Sequence, residues 1–498
     1  MAFELLTPDE MAEADRLTIG AGPVDGVGLM RRAGGAIADV VLSRFPSAHP
    51  VHVLCGPGNN GGDGYVVARL LRESGGAVRL FATSAPRAGS DAALAAAECP
   101  VAVEPLSAFA PETGSLVVDA LYGAGLSKPL AGDVLAAVAR TAEAGVPVVA
   151  VDLPSGVSGR SGEVPGGAFK AVITVTFARK KPGHLLFPGR AHCGEIIVAD
   201  IGISDAAVAA TGARCRENDP AWWRALFPSP AKDAHKYSRG HVGVFSGGIA
   251  ATGAARLSAM AAARAGAGAV TVLSPGAALA ANAAHLTSII LRRCDGLEDA
   301  IAFLDERKPA VLVHGPGLSP EPEVGRFALE LMGHASGRFG ALVLDADGIT
   351  SMARQRAAFF EARRRSGPAL VLTPHHGEFG RLFSDIAADT SLSKLERALA
   401  AAAKANAVIV YKGPDTVIAA PDGRAAINSN GTPLLATAGS GDVLSGIVAA
   451  LMAQSMPPFE AACAAVWMHA EAARRFGPGL IAEDLPLALR EVVAGLSG

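Results

Sequence analysis

A carboxylate beside a run of small residues is the first feature of the sequence that could do chemistry. Residues 437–446 read TAGSGDVLSG, so Asp442 follows small residues and precedes an apolar stretch with helical character. The N–H groups at a helix N-terminus favour anions such as phosphate, which a carboxylate would repel. Asp442 is therefore either the cap of the helix or a general base that acts beside a bound phosphate.

A second glycine-rich loop, CGPGNNGGDG at residues 55–64, poses the same question with Asp63. Its glycines match the G-x-G-x-x-G pattern of dinucleotide-binding loops. However, the next strand ends in LFATSAP and offers no acidic residue to a ribose hydroxyl. Asn59, Asn60 and Asp63 also stand where a pyrophosphate needs bare backbone. The loop is therefore a tight strand-to-helix turn or a specialised binding loop, and we favour the second interpretation.

Two more carboxylates follow predicted strands, since Asp119 precedes LYGAGLSKP and Asp152 lies in VDLPSG. Ligands of open parallel sheets bind beyond the carboxyl ends of the strands, so these residues and the loop at 55–64 are expected to meet in one crevice. The oxygen atoms of Asn60, Asp119 and Ser155 would suit a hard cation. Taken alone, each aspartate could equally cap a turn.

Strands that alternate with helices must position these residues. In the first half the apolar runs are VHVLC (51–55), AVRLFA (77–82), SLVVDA (115–120), VPVVAVD (146–152) and AVITVTF (171–177). The alternation of strand-like and helical segments stops near residue 200, and RENDPAWWRALFPSPAKDAHKYSRG contains no clear strand. A second series follows, namely HVGVFSG (241–247), AVTVL, AVLVHG, ALVLDAD, ALVLTP and AVIVYKG. This order predicts an α/β protein of two domains, residues 1–213 and 214–498, each with a parallel sheet covered by helices on both faces.

Composition limits the function classes. Half of the 498 residues are hydrophobic, 18% are charged and the formal net charge is −3, which disfavours nucleic acid or an anionic membrane surface as a partner. Six scattered cysteines without a CxxC pair indicate a reducing compartment and no structural zinc. The sequence has neither a secretory h-region nor an apolar stretch of about 18 residues. We expect a soluble, cytoplasmic protein that forms a homo-oligomer.

The motifs carry a family resemblance. GPGNNGGDG, VDALYGAGLSKPL and VDLPSG resemble the NAD(P)H-hydrate epimerase domain, and LLTPDEMAEADRLTIGAGPVDGVGLMRRAG resembles its N-terminal helices. HKYSRGHVGVFSGG, HGPGL, LDADG, LTPHHGEFGRL, YKGPDT and ATAGSGDVLSG are similar to the fused ADP-dependent NAD(P)H-hydrate dehydratase. The resemblance implies two three-layer αβα domains, the first Rossmann-like and the second ribokinase-like. Arg31, where an acidic residue is usual, and His376, where proline is customary, depart from the family pattern.

The resemblance also implies the chemistry. NAD(P)H that has been hydrated at C6 of its nicotinamide ring, written NADHX or NADPHX, is a mixture of R and S epimers. The first domain, an isomerase, would interconvert the epimers and would bind K⁺. The second domain, a lyase, would dehydrate the S epimer with ADP, accompanied by Mg²⁺, and would release AMP and phosphate.

Carried over by motif, the resemblance assigns three sets of binding residues. In the epimerase domain the hydrate would contact Asn59, Asn60, Gly61, Gly62, Asp63, Gly123, Ala124, Gly125, Leu126, Ser127, Lys128, Pro129 and Asp152, and K⁺ would contact Asn60, Asp119 and Ser155. In the dehydratase domain the hydrate would contact Ala254, Gly317, His375 and Asp442. ADP would contact Lys412, Gly413, Pro414, Asp415, Thr416, Thr432, Pro433, Leu434, Leu435, Ala436, Thr437, Ala438, Gly439, Ser440 and Gly441.

The predicted catalytic groups are few. Asp442 is the expected general base of dehydration, and the N–H groups of residues 439–441 are expected to hold the β-phosphate of ADP. In the epimerase domain Asp152 is the acid–base candidate, with Lys128 as its helper. Asp63 is expected to bond the backbone or ligand hydroxyls rather than to react.

Two other functions are compatible with the residues. An ATP-dependent kinase of small alcohols, of the hydroxymethylpyrimidine type and with an N-terminal binding module, would share the anion site and the base but would release a phosphorylated product. A binding scaffold would need no AGSGD motif, so this motif disfavours it. HGPGL and TPHHGE favour the dehydratase over the kinase. Lys412 in YKGPDT would offer a charge to a phosphate, or would be a solvated lysine at the end of a strand.

Overall fold

The computed structural model describes residues 3–126, 128–231, 233–365 and 367–497. The chain forms two compact units, residues 1–215 and 216–498. Strands alternate with helices in both units, which confirms the predicted α/β fold class. Within the described ranges, no helix is both long enough and apolar enough to cross a membrane.

The first unit is built on a seven-stranded sheet. Its strands are β1 Val51–Cys55, β2 Val78–Ala82, β3 Val103–Pro105, β4 Leu116–Ala120, β5 Val148–Val151, β6 Ile173–Phe177 and β7 Glu195–Ala199. They lie in the order β3-β2-β1-β4-β5-β6-β7, and every pairing is parallel. Its helices are α1 Pro8–Ala21, α2 Gly26–Arg44, α3 Asn59–Glu73, α4 Asp91–Glu98, α5 Gly132–Ala144, α6 Arg190–Cys193 and α7 Asp205–Ala210.

Apolar side chains cover both faces of this sheet. Val53 of β1 packs in one hydrophobic cluster with Ile37 of α2, while its neighbour Leu54 packs in a second cluster with Phe81 and Phe109. Successive residues of a strand point to opposite faces, so the two clusters lie on opposite sides of the sheet. This two-sided burial explains why the central strands are continuous apolar runs rather than alternating ones.

The second unit is built on a ten-stranded sheet. Its strands are β8 Cys215–Asn218, β9 His241–Phe245, β10 Ala269–Ser274, β11 Ile290–Arg293, β12 Val311–His314, β13 Ala341–Leu344, β14 Ala369–Leu372, β15 Val408–Tyr411, β16 Val417–Ala419 and β17 Ala425–Asn428. Their order is β11-β10-β9-β12-β13-β14-β15-β16-β17-β8. Pairings from β11 to β15 are parallel, whereas β16 pairs antiparallel with both β15 and β17.

The helices of the second unit position its glycine-rich motif. They are α8 Pro220–Trp223, α9 Thr252–Arg264, α10 Leu279–Ala283, α11 Leu297–Arg307, α12 Pro322–Gly333, α13 Asp347–Ala353, α14 Arg356–Arg363, α15 His376–Leu382, α16 Ser384–Ala388, α17 Lys394–Ala405, α18 Ser440–Ala453, α19 Pro458–Phe476 and α20 Asp484–Ser497. Every residue of α18 from Val443 to Ala453 is buried, as expected of a helix that is apolar all round. A Cβ atom on Gly446 would lie 2.1 Å from the carbonyl oxygen of Ser258 on α9, so the two helices meet closely.

Two expectations about the strands were wrong. The stretch that begins RENDP was expected to contain no strand, but its first three residues belong to β8 at the end of the second sheet. This strand is short and polar, so it lacks the apolar run that marks a buried strand. The second sheet was expected to be parallel, but the loops around β16 are only residues 412–416 and 420–424, too short for the crossover that parallel strands need.

Candidate functional site

A cavity of about 800 Å³ opens in the first unit where the carboxyl ends of its strands meet α1. Segments that follow β1, β4, β5 and β6 all contribute to its wall. The structure therefore brings the strand-end motifs into one crevice. Ten of the residues expected to contact the hydrate line it, namely Asn59, Asn60, Asp63, Gly123, Ala124, Gly125, Leu126, Lys128, Pro129 and Asp152.

Three residues expected to contact the hydrate are not among those that line the cavity. Gly61 and Gly62 are buried in the first turn of α3. A Cβ atom on Gly61 would lie 1.8 Å from the carbonyl oxygen of Gly56, and one on Gly62 would lie 2.5 Å from Cε of Met30. These glycines thus allow close packing of the loop. Ser127 lies outside the described residues.

Asp152 is the best-connected carboxylate of the cavity. Its Oδ1 accepts hydrogen bonds from Nζ of Lys181 at 2.6 Å and from the hydroxyl of Thr176 at 2.9 Å, and its Oδ2 accepts one from the backbone N–H of Ala124 at 3.0 Å. Burial by itself raises the pKa of Asp152, but the ammonium group of Lys181 outweighs it and holds the pKa at about 2. Asp152 is therefore ionised, as a base must be.

The sequence interpretation missed Lys181. The residue is 1% exposed, and its Nζ also donates to the hydroxyl of Thr176 at 2.9 Å. Next to it, Nδ1 of His184 accepts from the backbone N–H of Lys181 at 2.9 Å, and Nε2 donates to the carbonyl oxygen of Asp152 at 2.8 Å. Burial lowers the pKa of His184 to about 4, so the ring is neutral. Both residues could have been found from the sequence, because they directly follow β6, whose carboxyl end lies at the same crevice.

Two further carboxylates of the cavity carry their protons more tightly. Burial, together with the charges of Asp152 and Asp15, raises the pKa of Asp63 well above its ordinary value. Burial also raises the pKa of Asp15 to about 6, with Lys181 opposing and Asp152 adding to the shift. Asp15 comes from α1 and was not predicted. The cavity therefore holds one carboxylate whose pKa is lowered and two whose pKa values are raised.

The three residues expected to hold K⁺ are only partly joined. Asp119 accepts from the hydroxyl of Ser155 at 2.6 Å, from its backbone N–H at 2.7 Å and from the N–H of Leu121 at 3.3 Å. Asn60 lies on the cavity wall, where its Oδ1 would be 2.7 Å from a Cβ atom on Gly123, and its buried Nδ2 has no hydrogen-bond partner. The hydrogen bond from Leu121 shows that Asp119 also caps the turn after β4, which was the other role considered for this residue.

Asp119 nevertheless suits a cation. The residue is 0% exposed, and burial raises the pKa of its carboxyl group to about 6. In the described parts of the chain, no lysine, arginine or histidine side chain pairs with it. The donor atoms here are all oxygen, which a hard cation prefers. Those parts also contain no group of three or more His, Cys, Asp or Glu side chains that could hold a metal ion.

In the second unit, Asp442 is the third residue of α18. Gly439 precedes the helix with a φ of 87°, a left-handed conformation that favours glycine. A Cβ atom on Gly441 would lie 3.3 Å from Nζ of Lys412, so this lysine reaches the start of the helix. Burial raises the pKa of Asp442 to about 7; the charge of Asp345 adds to the shift and Lys412 opposes it.

Lys412 is held by two carboxylates rather than solvated. Its Nζ lies 2.8 Å from Oδ1 of Asp345 and 3.9 Å from Oε2 of Glu378, and its side chain is 20% exposed. Burial lowers the pKa of Lys412, but Asp345 and Glu378 outweigh it and raise the pKa above its ordinary value. Ser445 of α18 donates to Oδ2 of Asp345 at 2.5 Å. Asp345 and Glu378 were not predicted, although LDADG and TPHHGE contain them.

The residues expected to contact the hydrate in this unit form two groups. Ala254 and Gly317 are adjacent, since a Cβ atom on Gly317 would lie 3.3 Å from Cβ of Ala254. His375 caps α15, where its Nδ1 accepts from the N–H of Gly377 at 2.9 Å and its Nε2 lies 3.2 Å from Oε1 of Glu378. Through Glu378, His375 is connected to the lysine beside Asp442.

The two segments expected to bind ADP also come together. A Cβ atom on Gly441 would lie 3.3 Å from Nζ of Lys412, and one on Gly431, directly before the second segment, would lie 3.0 Å from the carbonyl oxygen of Pro414. The segment of residues 412–416 turns through a hydrogen bond from the hydroxyl of Thr416 to the carbonyl oxygen of Gly413, at 2.8 Å. Asp415 is 5% exposed and pairs with Lys394 at 2.5 Å, so its carboxylate supports the segment from inside.

The segment of residues 432–441 leads into α18. Residues 433–435 form a single 3-10 turn. The hydroxyl of Thr432 caps this turn by accepting a hydrogen bond from the N–H of Leu434 at 3.4 Å. The N–H of Ser440 is directed at the carbonyl oxygen of Thr437, 3.4 Å away, and its hydroxyl lies 3.1 Å from Nε2 of His469. This chain of contacts fixes the glycine-rich turn ahead of Asp442.

The two departures from the family pattern take ordinary structural roles. Arg31 of α2 pairs with Glu98 of α4 at 2.5 Å on the surface. His376 lies in the first turn of α15, where its Nδ1 is 2.8 Å from the hydroxyl of Tyr411. Neither side chain takes part in the contacts around Asp152 or Asp442.

Two family models match the chain. One, described as NAD(P)H-hydrate dehydratase, matches residues 242–491, and the other, described as YjeF-related protein N-terminus, matches residues 27–183. The bifunctional NAD(P)H-hydrate repair enzyme of Coxiella burnetii is 36% identical over 504 residues, which cover 97% of this chain and 98% of that protein. The chain belongs to the family of bifunctional NAD(P)H-hydrate repair enzymes.

Other members of this repair-enzyme family match over similar lengths. The enzyme of Moorella thermoacetica is 34% identical and covers 98% of this chain and 97% of its own length, and that of Escherichia coli K12 is 33% identical with 93% and 89% covered. The crystal structure of the ADP/ATP-dependent NAD(P)H-hydrate dehydratase from Bacillus subtilis with ATP and Mg²⁺ is 26% identical, covers 56% of this chain and 98% of its own, and aligns with a TM-score of 0.49.

Proposed function

We propose that this chain restores hydrated NAD(P)H in two steps. Residues 1–213 interconvert the R and S epimers of NADHX and NADPHX, and residues 214–498 dehydrate the S epimer with ADP, releasing AMP and phosphate. One observation carries the proposal: Asp442 lies in the first turn of a helix that a glycine precedes and that the half-buried Lys412 reaches, in a chain whose full-length relatives are bifunctional repair enzymes. The family makes a small-alcohol kinase the weaker interpretation.

The dehydration follows from the position of Asp442. With a pKa of about 7, its carboxylate takes the proton of the C6 hydroxyl group at neutral pH. The hydroxyl oxygen then attacks the β-phosphorus of ADP, and AMP leaves. The backbone N–H groups of Gly439 and Gly441 and the ammonium group of Lys412 stabilise the negative charge that develops on the phosphate oxygens. The N–H of Ser440 is directed at Thr437 instead. The electron pair of the ring nitrogen then expels the phosphate from C6 as an N1=C6 iminium. This iminium loses a proton from C5, which forms the C5=C6 double bond of NAD(P)H.

Mg²⁺ would accompany ADP in this unit. The carboxylates of Asp345 and Glu378, which both lie near Nζ of Lys412, are the hard oxygen donors that this ion prefers, so the residues present fit it. When bound, the ion would neutralise charge on the phosphate groups.

In the epimerase unit, Asp152 is the base. Lys181 keeps its carboxylate ionised, and the N–H of Ala124 and the hydroxyl of Thr176 fix the orientation of that carboxylate. Epimerisation at C6 requires loss of the hydroxyl group and return of water on the other face, and Asp152 takes the proton of the incoming water. Lys128 lines the same cavity and is placed to contact the charged end of the hydrate.

We also propose that Asn60, Asp119 and Ser155 hold K⁺. The fully buried carboxylate of Asp119, which lacks a cationic side chain among the described residues, supports this assignment. A single carboxylate supplies too little charge to select a divalent ion strongly. The ion would position the pyrophosphate or ribose of the hydrate and would do no chemistry.

The cellular setting is part of the same proposal. The parts of the chain that the structure describes contain no disulfide, which supports the reducing environment of the cytoplasm. A homo-oligomer stays a prediction of the sequence.

The proposal is tested with the full chain, NADHX as a mixture of epimers, and ADP. We expect the absorbance of reduced nicotinamide to appear until both epimers are consumed, with AMP and phosphate formed in equal amounts. A stable phosphorylated product would identify a kinase instead. Consumption of the S epimer alone, at a rate set by spontaneous epimerisation, would remove the epimerase half of the proposal.

A further inference from the structure

One face of α1 forms a wall of the epimerase cavity. Pro8, Met11, Ala12 and Asp15 of this helix line the cavity, and their spacing places them in one stripe of the helix surface. Asp15 is the only charged residue of the stripe. The start of the helix is fixed, because the hydroxyl of Thr7 and the carboxylate of Glu10 form a capping box. Asp15 is thus held on a rigid element facing the cavity.

The carboxylate of Asp15 is not used by the fold. Among the residues that the structure describes, it accepts no hydrogen bond and forms no ion pair. Its pKa is set by burial and by the charges of Lys181 and Asp152. Asp152, by contrast, receives three hydrogen bonds from Lys181, Thr176 and Ala124. The cavity therefore contains one carboxylate committed to the ionised form and one that is free to carry a proton.

We propose that Asp15 is a catalytic residue of the epimerase, the acid that gives its proton to the C6 hydroxyl group as this group leaves. The inference rests on the proposed function of the unit. When the surroundings shift the pKa values of two carboxylates in one site in opposite directions, the two are expected to act as an acid and a base. Asp15 supplies the proton on one face of the ring, and Asp152 accepts a proton on the other.

The step balances in atoms and electrons. The proton of Asp15 moves to the C6 hydroxyl oxygen, the C6–O bond breaks with its electron pair on the departing water, and the lone pair of the ring nitrogen N1 forms an N1=C6 iminium. Water then adds to C6 from the opposite face, the π electrons return to N1, and the proton of the added water moves to Asp152. Exchange with solvent returns a proton to Asp15 and removes one from Asp152.

Burial, rather than the charges around it, favours the neutral form of Asp15. The other side chains with an acidic or basic group that line the cavity are Asp63 of α3, Lys128 after β4, Asp152 after β5 and Lys181 after β6. Burial, with the charge of Asp152 adding to its effect, places the pKa of Asp15 at about 6 although Lys181 opposes the shift. An acid must be protonated to act, so epimerisation should weaken as the pH rises through this value.

The test measures R-to-S conversion by chromatography with the full chain and no ADP, after subtraction of the spontaneous rate at each pH. Wild-type kcat/KM is expected to fall about tenfold per pH unit above about pH 6. Asp15→Asn, which keeps the shape and removes the proton, should lower kcat about a hundredfold or more with little change in KM, and should abolish this pH dependence. Asp15→Glu should retain the pH dependence with partial activity.

Asp9→Asn is the matched control, since it makes the same charge change on the exposed side of α1 and should behave as wild type. Should Asp15→Asn fail to fold, the wild-type and Asp15→Glu profiles decide alone. A wild-type rate that is independent of pH between about pH 5 and about pH 8, or an Asp15→Asn variant with wild-type kcat, would overturn the role of Asp15. Wild-type protein that does not accelerate R-to-S conversion would instead overturn the proposed epimerase function.

Discussion

Replacement of Asp442 by Asn is expected to make the C-terminal unit more stable while removing most of its activity. Burial and the charge of Asp345 raise the pKa of Asp442 to about 7. Above this pH the folded protein must hold a carboxylate in surroundings that favour the neutral acid. Asparagine has nearly the same shape and no charge, so it avoids that cost. Catalytic residues often destabilise a fold in this way.

The magnitude follows from the two pKa values. The ordinary pKa of an aspartate is 3.8 and that of Asp442 in the folded unit is about 7. Because the folded state binds the proton more tightly, the stabilising effect is complete below 3.8 and is lost as the pH rises through about 7. At about 1.4 kcal/mol per pH unit, this loss amounts to about 4 kcal/mol. Asp442→Asn should therefore gain about 4 kcal/mol at about pH 8 and about 2 kcal/mol at about pH 5.

Tryptophan fluorescence makes the measurement specific to one unit. The three tryptophans of the chain, Trp222, Trp223 and Trp467, all lie in the second unit, and Trp223 is fully buried. Urea unfolding of the full chain, followed by this fluorescence without nucleotide or Mg²⁺, then gives the free energy of unfolding of that unit. Glu483→Gln, which neutralises an exposed carboxylate of the same unit, is the control and should gain nothing.

The same variant tests the chemistry. Loss of the base should lower the rate of dehydration about a hundredfold or more while ADP still binds. A gain in stability that is equal at the two pH values would show that the charge of Asp442 is not the cause. No gain at the higher pH would refute the argument from burial, and unchanged turnover would refute the assignment of the base.

Three further changes test the remaining contacts. Lys181→Met leaves Asp152 buried without its cation, so circular dichroism should show the N-terminal unit destabilised by about 3–5 kcal/mol and epimerisation should be lost; unchanged stability would contradict the ion pair. Asp119→Ala should remove the K⁺ dependence of epimerisation and raise its KM without affecting dehydration, whereas identical K⁺ titrations would leave Asp119 only a loop cap. Gly439→Ala forces a side chain to φ 87° with its Cβ atom 2.8 Å from Cδ1 of Leu257, a strain of about 1–3 kcal/mol that should raise the KM for ADP about tenfold. Epimerisation should not change in this last variant, and an unaltered KM would show that the turn tolerates the strain.

Much of the fold and of the site could be predicted from the sequence because the signals are local. Continuous apolar runs such as VHVLC predict buried strands wherever a sheet is covered on both faces, and glycine and aspartate at strand ends predict a ligand crevice. Asp152 and Asp442 follow from such local motifs. The short strands β3 and β8 could not be found in this way, because they lack an apolar run and depend on a neighbouring strand for their hydrogen bonds.

What the tertiary structure decided is which distant side chains meet and what charge each one carries. Lys181 reaches Asp152 from a segment 29 residues away, and Asp345 reaches Lys412 across 67 residues. Such contacts depend on the order of the strands in the sheet, and the periodicity of the sequence does not determine that order. Asp15, Asp152 and Asp442 are identical in chemistry, yet their pKa values are about 6, about 2 and about 7. Burial and the nearest charge set these differences, and both exist only once the chain has folded.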